Sequence, residues 1–260
     1  MYTDTHCHLT DERYEDVNEI IKNYKDAGVD LAIIAGFNED TSVRGGIISE
    51  SNENLYHTVG VHPSDIDELK DSTLTLFRDL AKKEKCVAIG EIGLDYHFEE
   101  KSLIRDKQIK GFQRQLELAH ELSLPVCIHS RDSAEDTTAI LKEGKNLIKN
   151  GLVMHCYSGS LESAKIYLNE GFYISFSGSV TFKNARGLVD VCKYVPLDRL
   201  LTETDCPYLC PEPFRGRRNE PKNVTLVAQK IAEYKGASVE KVCESVRENT
   251  LSLFKKICKP

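Results

Sequence analysis

The sequence has no tryptophan, only two methionines and no apolar run long enough to cross a membrane. Its longest runs, such as Leu31–Ala35, fall far short of the roughly 18 residues a span requires. No basic stretch followed by an apolar one opens the chain, so no secretory signal is read there. Among nine cysteines there is no CxxC pair, which excludes a zinc ribbon and speaks against a disulfide framework. A cytoplasmic, reducing setting is the expectation. Positive charge is not in excess either: 34 Lys and Arg against 41 Asp and Glu leave a net charge of −7. That argues against a protein that coats nucleic acid by bulk charge, but leaves room for a local basic patch or bound metal ions.

What the chain does contain is repetition. Eight short runs rich in apolar and β-branched residues recur along its 260 residues: Tyr2–His6, Asp30–Gly36, Tyr56–Val61, Cys86–Ile92, Pro125–His129, Leu152–Cys156, Phe172–Phe176 and Leu200–Thr204. Gly, Pro or charged clusters flank most of them, as they flank strands. Segments with helical periodicity lie between: Val17–Ala27, Leu74–Lys83, Ile104–Leu122, Ala134–Ile148, Leu161–Glu170, Asn184–Tyr194, Asn223–Lys235 and Val239–Ile257. In Ile104–Leu122, Ile109, Phe112, Leu116 and Ala119 form one stripe, with Lys, Arg, Gln and Glu assigned to the wet face. Strand then helix, about eight times at roughly 30-residue spacing, predicts an α/β fold of the closed (β/α)8 TIM-barrel type. A doubly wound open sheet would need fewer repeats in this length. One domain over residues 1–260 is expected, because such barrels use about 250 residues.

The positions of the metal-type side chains carry the chemistry. His6 and His8 are one residue apart on the first strand and share a face, while Cys7 points away. Glu91 ends the fourth strand, His129 the fifth, His155 the sixth and Asp205 the eighth. In a parallel barrel all these strand ends lie on one rim, where active sites of the fold are built. Any one of these histidines reads equally well as a packing or hydrogen-bonding residue. Six ligand-type side chains at one rim do not, because buried carboxylates are rare unless paired or metal-bound. Four His and two carboxylates suit zinc, manganese or another borderline ion. Six ligands exceed what one catalytic ion with an open position takes, so two divalent ions sharing a carboxylate, with Glu91 as the bridge, are expected. Asp205 is expected to bind one ion and also to take the proton from the attacking water. Cys7, Cys156 and Cys206 adjoin ligands but are read as packing residues.

The segments DTHCHL, GVHP, GEIGLDYH, HSRD, HCYSG, ETDCPYL and RGRRNEP, in this order, resemble the TatD family of metal-dependent nucleases from Tyr2 to about Asn249. The resemblance implies an amidohydrolase-like TIM-barrel metallohydrolase that cleaves phosphodiester bonds of DNA, including 3′-to-5′ exonuclease action on single strands. It also implies one ion on His6, His8, Glu91 and Asp205 and a second on Glu91, His129 and His155. Mg2+, Mn2+ and Zn2+ all remain open as the ions, since one ligand set accepts several. Short single-stranded DNA ends are the expected partner, on a chain presumed monomeric.

Further rim residues are expected to meet substrate. His62, in GVHP, is given a substrate or ligand-supporting role by the resemblance. Tyr96 and His97 follow GEIGLD and could stack on a base or touch a phosphate. Arg131 could clamp a phosphate oxygen. Arg215, Arg217 and Arg218, with Lys222, form a cationic patch after the eighth strand. Two rival readings stay open: the same scaffold hydrolysing an amide or ester, such as an aminoacyl-tRNA linkage or a small cyclic amide, and a non-catalytic interaction module.

Overall fold

A computed structural model describes residues 1–257. Among them eight strands alternate with nine α-helices: β1 (Tyr2–Cys7), α1 (Val17–Asp26), β2 (Val29–Ile34), α2 (Glu39–Glu50), β3 (Leu55–Val59), α3 (Asp71–Ala81), β4 (Cys86–Asp95), α4 (Lys101–Glu121), β5 (Val126–Arg131), α5 (Ala134–Glu143), β6 (Leu152–Met154), α6 (Leu161–Asn169), β7 (Tyr173–Phe176), α7 (Arg186–Tyr194), β8 (Leu200–Thr202), α8 (Val224–Lys235) and α9 (Val239–Leu253). The strands form one sheet in chain order from β1 to β8. The ladders of β1 with β2, β3 with β4, β4 with β5, β5 with β6 and β7 with β8 are all parallel. A parallel bridge between Cys7 and Cys206 brings the segment after β8 back to β1. This is the (β/α)8 barrel that the repeat pattern predicts. No helix among the described residues is long and apolar enough to cross a membrane.

By packing, the described residues fall into two units, 1–34 with 156–252 and 35–155 with 253–257. In the first, Leu9, Tyr24, Leu31, Ile33, Ile34 and Phe176 are almost fully buried, and in the second Leu55, Phe77, Ile89, Ile92, Phe112 and Phe254. Covering a side chain of this size removes it from water at a gain of roughly 1.5–3 kcal/mol.

Helix α2 has no counterpart in the helical segments read from the sequence. It carries no apolar stripe, and the residues it buries are Thr41, Ser42, Gly45, Gly46 and Ser49. A capping box starts it: the Asn38 side chain accepts from Thr41 N at 2.9 Å, and Thr41 Oγ1 accepts from Asn38 N at 3.0 Å. Small residues then let it lie close to β3, where a Cβ on Gly46 would stand 3.4 Å from His57. Periodicity of apolar residues does not report a helix that packs through Gly and Ser.

Helix α4 corrects a second expectation. Gln108 and Gln115, assigned to its wet face, are buried at 2% and 0% exposure. Gln115 accepts from Val61 N at 2.8 Å and donates to Val61 O at 3.0 Å. Gln108 accepts from Asp95 N at 2.9 Å and donates to Asp95 O at 3.0 Å and Pro63 O at 3.2 Å. Each amide satisfies backbone groups that leave the β-ladder at a strand end, so burying it costs little. The two glutamines thereby fix the ends from which site residues project.

Candidate metal centre

In the first unit, β1 delivers His6 and His8 while the chain turns at Asp205 just beyond β8. Asp205 has a left-handed backbone, φ 54°, a conformation that costs a non-glycine residue energy and gathers at functional sites. Its N–H donates to His6 O at 3.0 Å. The Nε2 atoms of His6 and His8 are 3.3 Å apart, and Asp205 Oδ1 lies 3.2 Å from His8 Nε2 and 3.9 Å from His6 Nε2. Beneath them Asp4, fully buried, accepts from His6 N at 3.3 Å, Thr204 N at 2.9 Å and Thr204 Oγ1 at 2.6 Å. Burial pushes the Asp4 carboxyl well above its ordinary range, against the pull of these donors. It ties the strand that carries His6 to the turn that carries Asp205.

In the second unit the focus is Glu91, buried on β4. Its Oε1 lies 2.8 Å from His129 Nδ1, 2.9 Å from His155 Nε2 and 3.6 Å from His62 Nε2. His129 Nδ1 and His155 Nε2 are 3.4 Å apart. Burial alone would raise the Glu91 carboxyl, yet His155, His62 and His129 hold it well below the usual carboxylate range. His155 follows the last residue of β6, and the next residue, Cys156, turns with φ 43°. Burial pushes His62 down to about 4, so it is neutral near pH 7.

Both sets fit a divalent ion. Ligand atoms about 2.0–2.2 Å from a common ion at tetrahedral or octahedral angles stand roughly 2.8–3.6 Å from one another. Paired ring nitrogens 3.3 and 3.4 Å apart, each with a carboxylate oxygen alongside, have that spacing.

The remaining expected residues divide by what they touch. His62 accepts from Ser64 N at 3.1 Å, and its ring meets that of His129 edge-on at 4.4 Å. Tyr96 is turned inward at 8% exposure, its hydroxyl donating to Asp136 at 2.9 Å. His97 Nδ1 lies 2.7 Å from Asp132, and Arg131 lies 4.8 Å over exposed Phe98. Arg215 lies over Phe182 at 4.1 Å and Arg217 over Phe214 at 5.6 Å. Arg218 and Lys222 both pair with Glu220, at 3.1 and 2.8 Å. Arg218 also donates to Arg13 O at 2.7 Å, so part of the cationic patch holds its own loop together.

Asp95 was not among the expected site residues. Its Oδ2 lies 2.9 Å from His129 Nε2 and its Oδ1 accepts from His97 N at 2.8 Å. The strand period could have found it: Glu91, Gly93 and Asp95 share one face of β4.

The family model described as "TatD related DNase" matches residues 3–255. The chain is 43% identical over 257 residues to the uncharacterized metal-dependent hydrolase YabD of Bacillus subtilis, covering 98% of this chain and 99% of that protein. It is 32% identical over 260 residues to the 3′-5′ ssDNA/RNA exonuclease TatD of Pantoea vagans, with 97% and 98% covered. The crystal structure of YjjV, a TatD homologue from Escherichia coli K12, superposes with a TM-score of 0.91 at 29% identity, covering 98% of each chain. With two His and carboxylate sets that fit divalent ions and this match along its length, the chain belongs to the TatD family of metal-dependent hydrolases.

Proposed function

We propose that this hydrolase cleaves phosphodiester bonds of DNA, acting as a 3′-to-5′ exonuclease on short single-stranded ends with two divalent ions, each on one of the two donor sets. The observation that carries the reading is the pair of ligand clusters, His6–His8–Asp205 and Glu91–His129–His155, each with the spacing of ligands to one ion. Such ions supply Lewis acidity toward water and a phosphoryl oxygen.

The chain's own groups do the rest. The Asp205 side chain is 15% exposed, open enough to accept the proton of an attacking water. Asp4 and Thr204 hold the Asp205 turn so that the carboxylate need not reorganise during reaction. Arg215 and Arg217, planar cations resting on aromatic rings, suit phosphate oxygens. With a net charge of −7, the protein is suited to grip a few nucleotides at this rim rather than to coat a duplex.

The test is cleavage of 5′-labelled single-stranded DNA after chelation and after add-back of Mn2+, Mg2+ or Zn2+. Rescued cleavage, abolished in Asp205→Asn with DNA binding largely kept, is the expected result. Normal cleavage by Asp205→Asn would remove Asp205 from its assigned role. No cleavage of DNA by any loaded form would return the chain to the amide or ester reading.

A further inference from the structure

Tyr208 stands three residues beyond Asp205 and is half exposed, at 49%. Its position is tightly set. Its N–H donates to Asp205 O at 3.0 Å, and its carbonyl accepts from the fully buried Asn219 amide at 2.8 Å. The ring meets His8 edge-on with centroids 6.0 Å apart, beside the His6–His8–Asp205 cluster. The Arg13 guanidinium lies over the ring, 4.3 Å from its centroid.

Arg13 is itself locked. Its Nε and Nη2 donate to the two oxygens of Asp11 at 2.8 Å each, and Arg218 clamps its carbonyl. A guanidinium backing an aromatic ring makes a rigid plate, and here the plate stands beside the His6–His8–Asp205 cluster. Six residues further along the same loop the arrangement recurs: Phe214, 39% exposed, lies under Arg217. Exposed aromatic rings interleaved with cations are how single-stranded nucleic acid is gripped without reading its sequence.

We propose that Tyr208, backed by Arg13, is the stacking platform for the terminal nucleobase of a single-stranded polynucleotide, seating the adjoining phosphodiester at His6, His8 and Asp205. This rests on the nuclease reading above and supplies a residue that would account for its single-strand preference. A terminal base is free to stack only when it is unpaired, so frayed or single-stranded ends bind and blunt duplex ends do not. Stacking takes any base, so sequence preference is weak.

The experiment compares Mn2+-loaded wild-type, Tyr208→Ala and Tyr208→Phe proteins on two fluorescein-labelled oligothymidylates. One ends in an ordinary 3′ nucleotide and the other in an abasic residue. Initial rates are measured on both, and anisotropy reads binding of their phosphorothioate-ended versions. Tyr208→Ala is expected to raise KM and Kd for the ordinary end by roughly ten-fold or more, with kcat nearly unchanged, as loss of one stacked base predicts. Tyr208→Phe should restore wild-type values, and on the abasic end all three proteins should behave alike. An equal loss on both oligomers, or no loss on the ordinary one, overturns the platform. Wild-type protein that binds through Tyr208 but cleaves neither oligomer supports the platform and defeats the nuclease reading. Cleavage that ignores Tyr208 does the reverse.

Discussion

One ring of His129 faces two carboxylates, with Nε2 2.9 Å from Asp95 and Nδ1 2.8 Å from Glu91. A neutral imidazole donates from one nitrogen only. With the proton on Nε2, toward Asp95, the Nδ1 lone pair is left for an ion shared with Glu91 and His155. Asp95 is held in turn by Gln108 of α4 through its backbone N–H and carbonyl. A carboxylate behind a ligand histidine fixes the ring and raises its basicity.

Asp95→Ala should therefore weaken metal binding and activity by about 10- to 100-fold, while Asp95→Asn, which keeps an acceptor, should recover part of the loss. Competition with a chromophoric chelator measures the affinity, and circular dichroism verifies that the variants fold. An affinity equal to wild type in Asp95→Ala would mean that packing alone orients His129.

Metal removal gives the second prediction. Ions that bind only the folded chain stabilise it by mass action, so chelation should lower Tm and add-back should restore it. Titration calorimetry should count about two ions per chain, as expected of a two-ion hydrolase centre. The paired variant His6→Ala with His8→Ala should retain one ion, on Glu91, His129 and His155. The pair His129→Ala with His155→Ala should retain the other. Loss of both ions from either pair would show that the two donor sets do not bind independently.

Backbone space gives the third. Gly93 has φ 146°, and a Cβ placed on it would stand 1.9 Å from His129 O. Both the conformation and the room require glycine where β4 passes the strand that carries His129. Gly93→Ala should yield little folded protein, or a Tm many degrees lower. Gly187, in the first turn of α7, meets nothing within 4 Å of a built Cβ. Gly187→Ala should be neutral or stabilising by up to about 1 kcal/mol. Thermal melts of the two variants side by side check the contrast.

These residues also mark how far the sequence could be read. The barrel was legible because β-branched runs and amphipathic helices alternate at even spacing, and a parallel barrel puts every strand end on one rim. His6 and His8 follow from strand alternation alone. Asp205 and His155 fall just past the observed ends of β8 and β6, whereas Glu91 and His129, expected at strand ends, lie inside β4 and β5, which run on to Asp95 and Arg131. Gln108 and Gln115 were hidden for a different reason. A polar residue in a periodic pattern is assigned to water, and only tertiary packing reveals which ones are buried against a strand end. Helix α2 was hidden because its buried face is Gly, Ser and Thr rather than aliphatic. Arg218 illustrates the opposite limit, since its charge is visible in the sequence but its attachment to Glu220 and to the Arg13 backbone is not.

The last prediction concerns stability rather than the metal centre. His57 on β3 is fully buried, with Nδ1 2.8 Å from Ser49 Oγ of α2. Burial pushes its pKa from 6.5 down to about 4, aided by Lys83, Lys256 and Lys85 and opposed by Glu50. The folded state thus keeps His57 neutral at a pH where the unfolded chain already binds a proton. Stability from neutral His57 is complete above about pH 6.5 and drains away as the pH falls toward 4. At about 1.4 kcal/mol per pKa unit, the whole effect is on the order of 3 kcal/mol. Replacing His57 by Gln, which cannot titrate, should cost some stability at pH 8 but flatten the decline between pH 6.5 and 4 relative to wild type. Urea unfolding of the chelated proteins across that range isolates the effect from metal binding. Parallel pH profiles for the two proteins would mean that another group carries the acid sensitivity.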